Sequence, residues 1–165
     1  MKEGAVMSRE QTVVHNTFVV EKSYPKPVET VFAAFADATK KRHWYGEGDG
    51  RTAESYSLDF REGGRELLRY KAPAGTPVAG MLLTNEGEFQ DIVPDERIVE
   101  AMTMMLDDKR ISSSLVTIEF LATETGTDLI FTHQGAFFEG SGGPEIREQG
   151  WRVLLDRLGK ELARG

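Results

Sequence analysis

A chain of 165 residues is long enough for one packed domain and short for two. Its net charge of -7 excludes the basic footprint of a nucleic-acid binder and sets it against anionic membrane surfaces. With no cysteine, disulfides, thiolate metal sites and thiol catalysis are excluded as well.

Residues 1–12 carry no core-forming pattern and read as a flexible tail ahead of one domain over residues 13–165. No secretory signal and no apolar run near ~18 residues is present, so a cytoplasmic location is expected by default. Thr17 to Tyr24 is β-branched and aromatic, and reads as a strand. Pro25 and Pro27 end it, and Pro27 suits the start of a helix. Val28, Val31, Phe32 and Phe35 then follow helical spacing over residues 27–36. Asp37 can cap a second short helix that ends on His43, Trp44 and Tyr45, before the loop GEGDG.

From there the period changes to two. Ser55 to Phe60 places Tyr56, Leu58 and Phe60 on one face, and Gly63-Gly64 turns the chain. Arg65 to Lys71 returns with Leu68 and Tyr70 together, and AGTPVAG forms a loop or the tip of a longer hairpin. Strands follow at Met81 to Val93, Arg97 to Asp107, Ile111 to Thr123 and Thr127 to Ala136, as in an antiparallel meander. Pro144 opens the last element, a helix of about twenty residues spanning ~30 Å. Its stripe is Ile146, Trp151, Leu154, Leu155, Leu158 and Leu162, with Arg147, Glu148, Arg152, Asp156, Arg157 and Lys160 placed off it. The expected fold class is α+β: a curved antiparallel sheet of about seven strands around a long C-terminal helix. Such a sheet cannot fill its concavity with one helix, so large side chains plug the gap or a cavity remains.

The order of elements, and the strings YPKPVETVFAAFAD, KKRHWYG, DFREGGRELLRY, GEFQDIVPDERIV, VTIEFLATETGTDLIFTHQG and GWRVLLDRLGKEL, resemble the START-like, or helix-grip, superfamily. Within it the chain is most similar to the bacterial domain family named after the activator of the heat-shock-protein-90 ATPase, over residues 17–164. The chain departs from that pattern at Glu47, where the family often has a proline, and at Ile98 to Met105, where it often has aromatics. The resemblance implies an internal cavity for a small hydrophobic or aromatic ligand, lipid-like or polyketide-like. It leaves open a cyclase or hydratase activity and a chaperone-interacting, stress-related role, and it carries no universal catalytic motif.

Candidate ligand-binding positions are Trp44, Tyr45, Phe60, Tyr70, Phe89, Glu100, Met102, Met104, Phe120, His133, Trp151 and Leu155. His133 shares a strand face with Leu129 and Phe131; it is either a pocket acid/base or a satisfied core histidine. Glu100 either faces the pocket, where it must be paired, hydrated or protonated, or is turned outward by a one-residue slip. A Glu100–His133 pair would make the pocket chemically competent. Trp44 either stacks on a ligand or plugs the core, and the methionines form either an adaptable wall or ordinary packing. Asp107-Asp108 reads as solvated turn carboxylates rather than a metal site. No nucleophile elbow or phosphate loop is present, so neither catalytic residues nor a cofactor are assigned. Expected partners are a small hydrophobic molecule and, compatibly with exposed strands, a second copy of the chain.

Overall fold

The computed structural model describes residues 12–48 and 52–164. All of the expected N-terminal tail except Thr12 lies outside the described residues, as do Asp49 and Gly50 of the GEGDG loop. Strand β1 (Val14–Tyr24) is followed by helices α1 (Val28–Ala36) and α2 (Ala38–Lys41). The chain then widens into a π-helical turn, Arg42–Gly46. Strands β2 (Ala53–Leu58), β3 (Arg65–Lys71), β4 (Leu82–Val93), β5 (Arg97–Leu106), β6 (Lys109–Ala122) and β7 (Thr127–Phe137) follow, and α3 (Pro144–Ala163) closes the fold.

All pairings are antiparallel, and the strand order is β1-β7-β6-β5-β4-β3-β2. The predicted meander is therefore present, with β1 added beside β7. β1 starts at Val14 rather than Thr17 because β7 runs to Phe137 and supplies it with cross-strand partners. Asp37 caps α2 as expected, accepting a bond from the Lys40 amide at 3.0 Å. Asp107 is more than a solvated turn carboxylate: its side chain accepts a 2.9 Å bond from the Leu82 amide and pins the β5–β6 turn to β4.

The register settles the face of Glu100. It lies opposite Phe89 on β4 and Val116 on β6, both buried, so it points to the concave side and no slip occurs. The β4 bulge falls between Phe89 and Asp91, past the residue that Glu100 opposes.

The two ends of α3 meet different surroundings. Leu155, Leu158 and Leu162 enter a solid core with Phe18, Val20, Phe32, Phe35, Leu129 and Phe131. The Tyr24 hydroxyl ties this end down by donating to the Leu155 carbonyl at 2.7 Å. The first turns of α3 instead stand over β3 to β6 with space between.

Candidate functional site

That space is a cavity of about 760 Å³, within the ~300–1,000 Å³ range of small-molecule sites. Its walls come from the inner faces of the strands, through Leu68, Tyr70, Leu83, Met102, Met104 and Ile111. The π-turn adds Tyr45, and α3 adds Ile146, Gly150, Trp151 and Leu154. The β3–β4 connection, which contains the AGTPVAG segment, adds Ala72, Pro73, Thr76, Pro77 and Val78. Gly150 borders the void, and a Cβ built there meets nothing within 4 Å. A helix-interior glycine costs about 1 kcal/mol relative to alanine, so this one preserves space at the expense of helix stability.

The wall is apolar with one polar region. Asn85, Ser112, Ser114 and His133 line it, and Asn85 Oδ1, Ser114 Oγ and His133 Nδ1 are buried without a protein partner among the described residues. Beside them stands Arg147, on the first turn of α3. Its Nη2 donates to Ser112 Oγ at 2.8 Å and approaches Met104 Sδ at 3.2 Å, while the guanidinium lies 5.2 Å from the Phe137 ring centroid. Burial pulls the Arg147 pKa below its ordinary value. His133 is lowered to about 4, by burial first and by the nearby Arg147 charge second, so its imidazole is neutral at pH 7. The ring is stacked on Phe18 at 4.7 Å and on Phe137 at 5.8 Å. Gly135 permits this arrangement, since a Cβ there would lie 2.7 Å from Phe137 and 2.9 Å from His133.

A second polar cluster is sealed off behind Tyr45. Lys41 Nζ contacts Glu66 at 3.1 Å and 2.9 Å, with both side chains buried. The Tyr56 hydroxyl donates to the same carboxylate, and Glu100 lies near enough to feel its charge, with Oε2 buried and without a protein partner among the described residues. Glu100 is pushed well above the ordinary carboxylate range, by burial first and by the Glu66 charge second, while Lys41 opposes the shift. Its protonated form is thereby favoured beside the Glu66–Lys41 salt bridge. Glycine is needed at position 87 because a Cβ there would sit 2.0 Å from Glu100 Oε2. Tyr45 separates the two regions: Lys41 Nζ lies 4.8 Å from its ring centroid, and Trp151 stacks on it at 5.8 Å. Burial, reinforced by Glu66 and Glu100, drives the Tyr45 phenol far up.

Of the twelve candidate positions named from the sequence, the structure brings Tyr45, Tyr70, Met102, Met104, His133 and Trp151 to the cavity. Trp44 plugs the core, donating to the Ala34 carbonyl at 2.8 Å and packing edge-on to Phe35. Phe60 and Phe120 pack against Phe32, Phe120 also against Phe35, Phe89 packs on Phe60, and Leu155 lies in the solid core. Glu100 and His133 do not meet. Val116 stands between them in the same cross-strand row, so two strand spacings, ~10 Å of backbone, separate them. His43 is on the surface, where its Nδ1 contacts Glu161.

Sequence reasoning missed Glu66, Lys41, Asn85 and Arg147. Arg147 was expected off the helical stripe, yet it precedes Trp151 by four residues and Leu154 by seven, which is the spacing of one face. Alternation places Glu66 with Leu68 and Tyr70, and Asn85 with Leu83 and Phe89. Lys41 gave no signal, because a four-residue helix has no readable period.

Comparison with known proteins supplies the lineage. The family model of the Activator of Hsp90 ATPase homolog 1-like proteins matches residues 25–163. The chain belongs to this family. Among solved structures it is similar to a protein of Rhizobium leguminosarum, with 35% identity, 93% of this chain and 97% of that one covered, and a TM-score of 0.86. The Mll3558 protein of Rhizobium loti is 40% identical, with 92% and 99% covered and a TM-score of 0.80. An AHSA1-like protein of Aeromonas hydrophila, at 19% identity, 90% and 93% coverage and a TM-score of 0.66, shares the fold. No curated protein matches the chain. The helix-grip architecture expected from the strings is thus the one this family member has. No helix among the described residues is long and apolar enough to cross a membrane.

Proposed function

We propose that this family member binds a small, largely apolar molecule in the cavity between α3 and strands β3 to β6. The observation that carries the reading is the cavity itself: about 760 Å³, walled by aliphatic, aromatic and methionine side chains. Methionines at 102 and 104 adapt their shape at little cost. Tyr45, Tyr70 and Trp151 offer ring faces for stacking. The reading of a reaction run by a Glu100–His133 pair lacks support, since Val116 lies between the two.

Native mass spectrometry of protein purified from its own host tests the proposal, with a retained organic molecule as the expected result. A titration with the neutral dye Nile red provides the complementary test. Saturable one-to-one binding that quenches Trp151 is expected in the wild type. Gly150→Leu, which directs a side chain into the void, should abolish it. Failure of every apolar probe to bind, with no retained molecule, would remove the proposal.

A further inference from the structure

We infer that the cavity selects ligands with an anionic head group, a carboxylate or its chemical equivalent, and that Arg147 is the residue that holds it. The inference rests on the binding role proposed above and specifies the class of ligand.

The charge of the cavity contrasts with the charge of the chain. The protein has 27 acidic residues against 20 lysines and arginines. Yet among the described residues no Asp, Glu or Lys lines the cavity, and the formal charges on its wall are Arg147 and Arg157. The two arginines are not equivalent. Arg157 donates to the Glu47 carbonyl at 3.2 Å and is engaged with the rim. Arg147 has neutral contacts, the Ser112 hydroxyl and Met104 sulfur, and no carboxylate within ion-pairing distance among the described residues. Glu148, its neighbour in sequence, is held by Arg152 at 2.7 Å, and Glu145 is exposed outside the cavity wall.

A partly desolvated cation without a counterion is costly, and folded proteins rarely retain one. An anion arriving in the cavity would remove that cost. The surroundings favour the same sign. Arg147 sits on the first turn of α3, whose leading amides have no side-chain cap, so the helix end adds partial positive charge there. Ser112, Ser114 and neutral His133 supply further polar contacts around the head group. The guanidinium fork matches two carboxylate oxygens. The apolar body of the ligand then extends along Met102, Tyr70 and Trp151.

Three probes with one hydrocarbon frame test this: pyrenebutyrate, pyrenebutanol and pyrenebutylamine, titrated at neutral pH by fluorescence. A charge-assisted pair of this kind corresponds to roughly ten- to hundredfold in Kd. Wild type is expected to prefer pyrenebutyrate over pyrenebutanol by at least about tenfold and to bind pyrenebutylamine weakest. Arg147→Met should erase that preference, weakening pyrenebutyrate far more than pyrenebutanol, and Arg147→Lys should keep part of it. Equal binding of all three probes by the wild type, a comparison that needs no variant, would overturn the inference and leave the binding role intact. Retention of the carboxylate preference by a folded Arg147→Met would also overturn it. Binding of none of the three, together with no Nile red binding, would sink the binding role and the inference with it.

Discussion

Two polar clusters line the concave side of one sheet and differ in access and in how their charges are met. The cluster of Lys41, Glu66, Glu100 and Tyr56 is sealed, and its charges are paired inside the protein. The cluster of Arg147, His133, Ser112 and Ser114 opens on a cavity, and its cation has no carboxylate partner among the described residues. Tyr45 is the partition. Burial alone does not mark a functional site. Internal compensation marks a structural one, and its absence beside open space marks one that can receive a ligand.

The largest effect that probes this contrast is expected at Lys41. Lys41→Met leaves the buried Glu66 carboxylate without its cation, a loss of about 3–5 kcal/mol. That is a large share of an ordinary domain's ~5–15 kcal/mol. Urea denaturation should show it, and Lys41→Met combined with Glu66→Gln should recover most of it. An unchanged midpoint in the single variant would show the cluster to be hydrated rather than sealed. Gly87→Ala comes next, at about 1–3 kcal/mol, through overpacking against Glu100. The loss should shrink when Glu100→Ala accompanies it.

Smaller still are two pH dependences of opposite sign. Glu100 has a folded pKa above its unfolded value, so the native state holds the extra proton. Stability should therefore fall as pH rises above the ordinary carboxylate range, by at most ~1.4 kcal/mol per pH unit. Glu100→Gln should flatten that slope. His133 has a folded pKa lowered to about 4 from 6.5. Its contribution is fully present above 6.5 and lost as pH falls towards 4, with the same limiting slope. An NMR titration of the ring should place its midpoint near 4; a midpoint near 6.5 would mean that the cavity is wetter than its walls suggest.

Much of the frame was legible because its signals are periodic. Strand alternation and the α3 stripe located every element to within a few residues, and Gly63-Gly64 located a hairpin. The site was half legible. Periodicity says which face a residue occupies but not which stretch of that face meets solid core. So Trp151 and Leu155 carry the same signal, yet one lines the void and the other is packed solid. Arg147 was placed off the apolar stripe, and Glu66 and Asn85 were not singled out, although the spacing of all three puts them inside. Glu100 was noticed, but its partners come from a short helix and from a strand two positions away across the sheet, a proximity no local pattern encodes.

The smallest expected effect on stability is also the most diagnostic. Lys41→Met and Arg147→Met make the same change, a cation on the concave side replaced by an apolar chain of similar length. At Lys41 the change strands a carboxylate. At Arg147 it strands only the Ser112 hydroxyl, and it relieves a guanidinium whose pKa burial has already lowered. Without ligand, the midpoint of Arg147→Met should lie within about 1 kcal/mol of wild type. With saturating pyrenebutyrate, wild type should gain roughly 2.7 kcal/mol at a hundred times Kd, and the variant should gain less. If Arg147→Met is instead as damaging as Lys41→Met in the absence of ligand, the guanidinium is a structural strut, and the two clusters are of one kind.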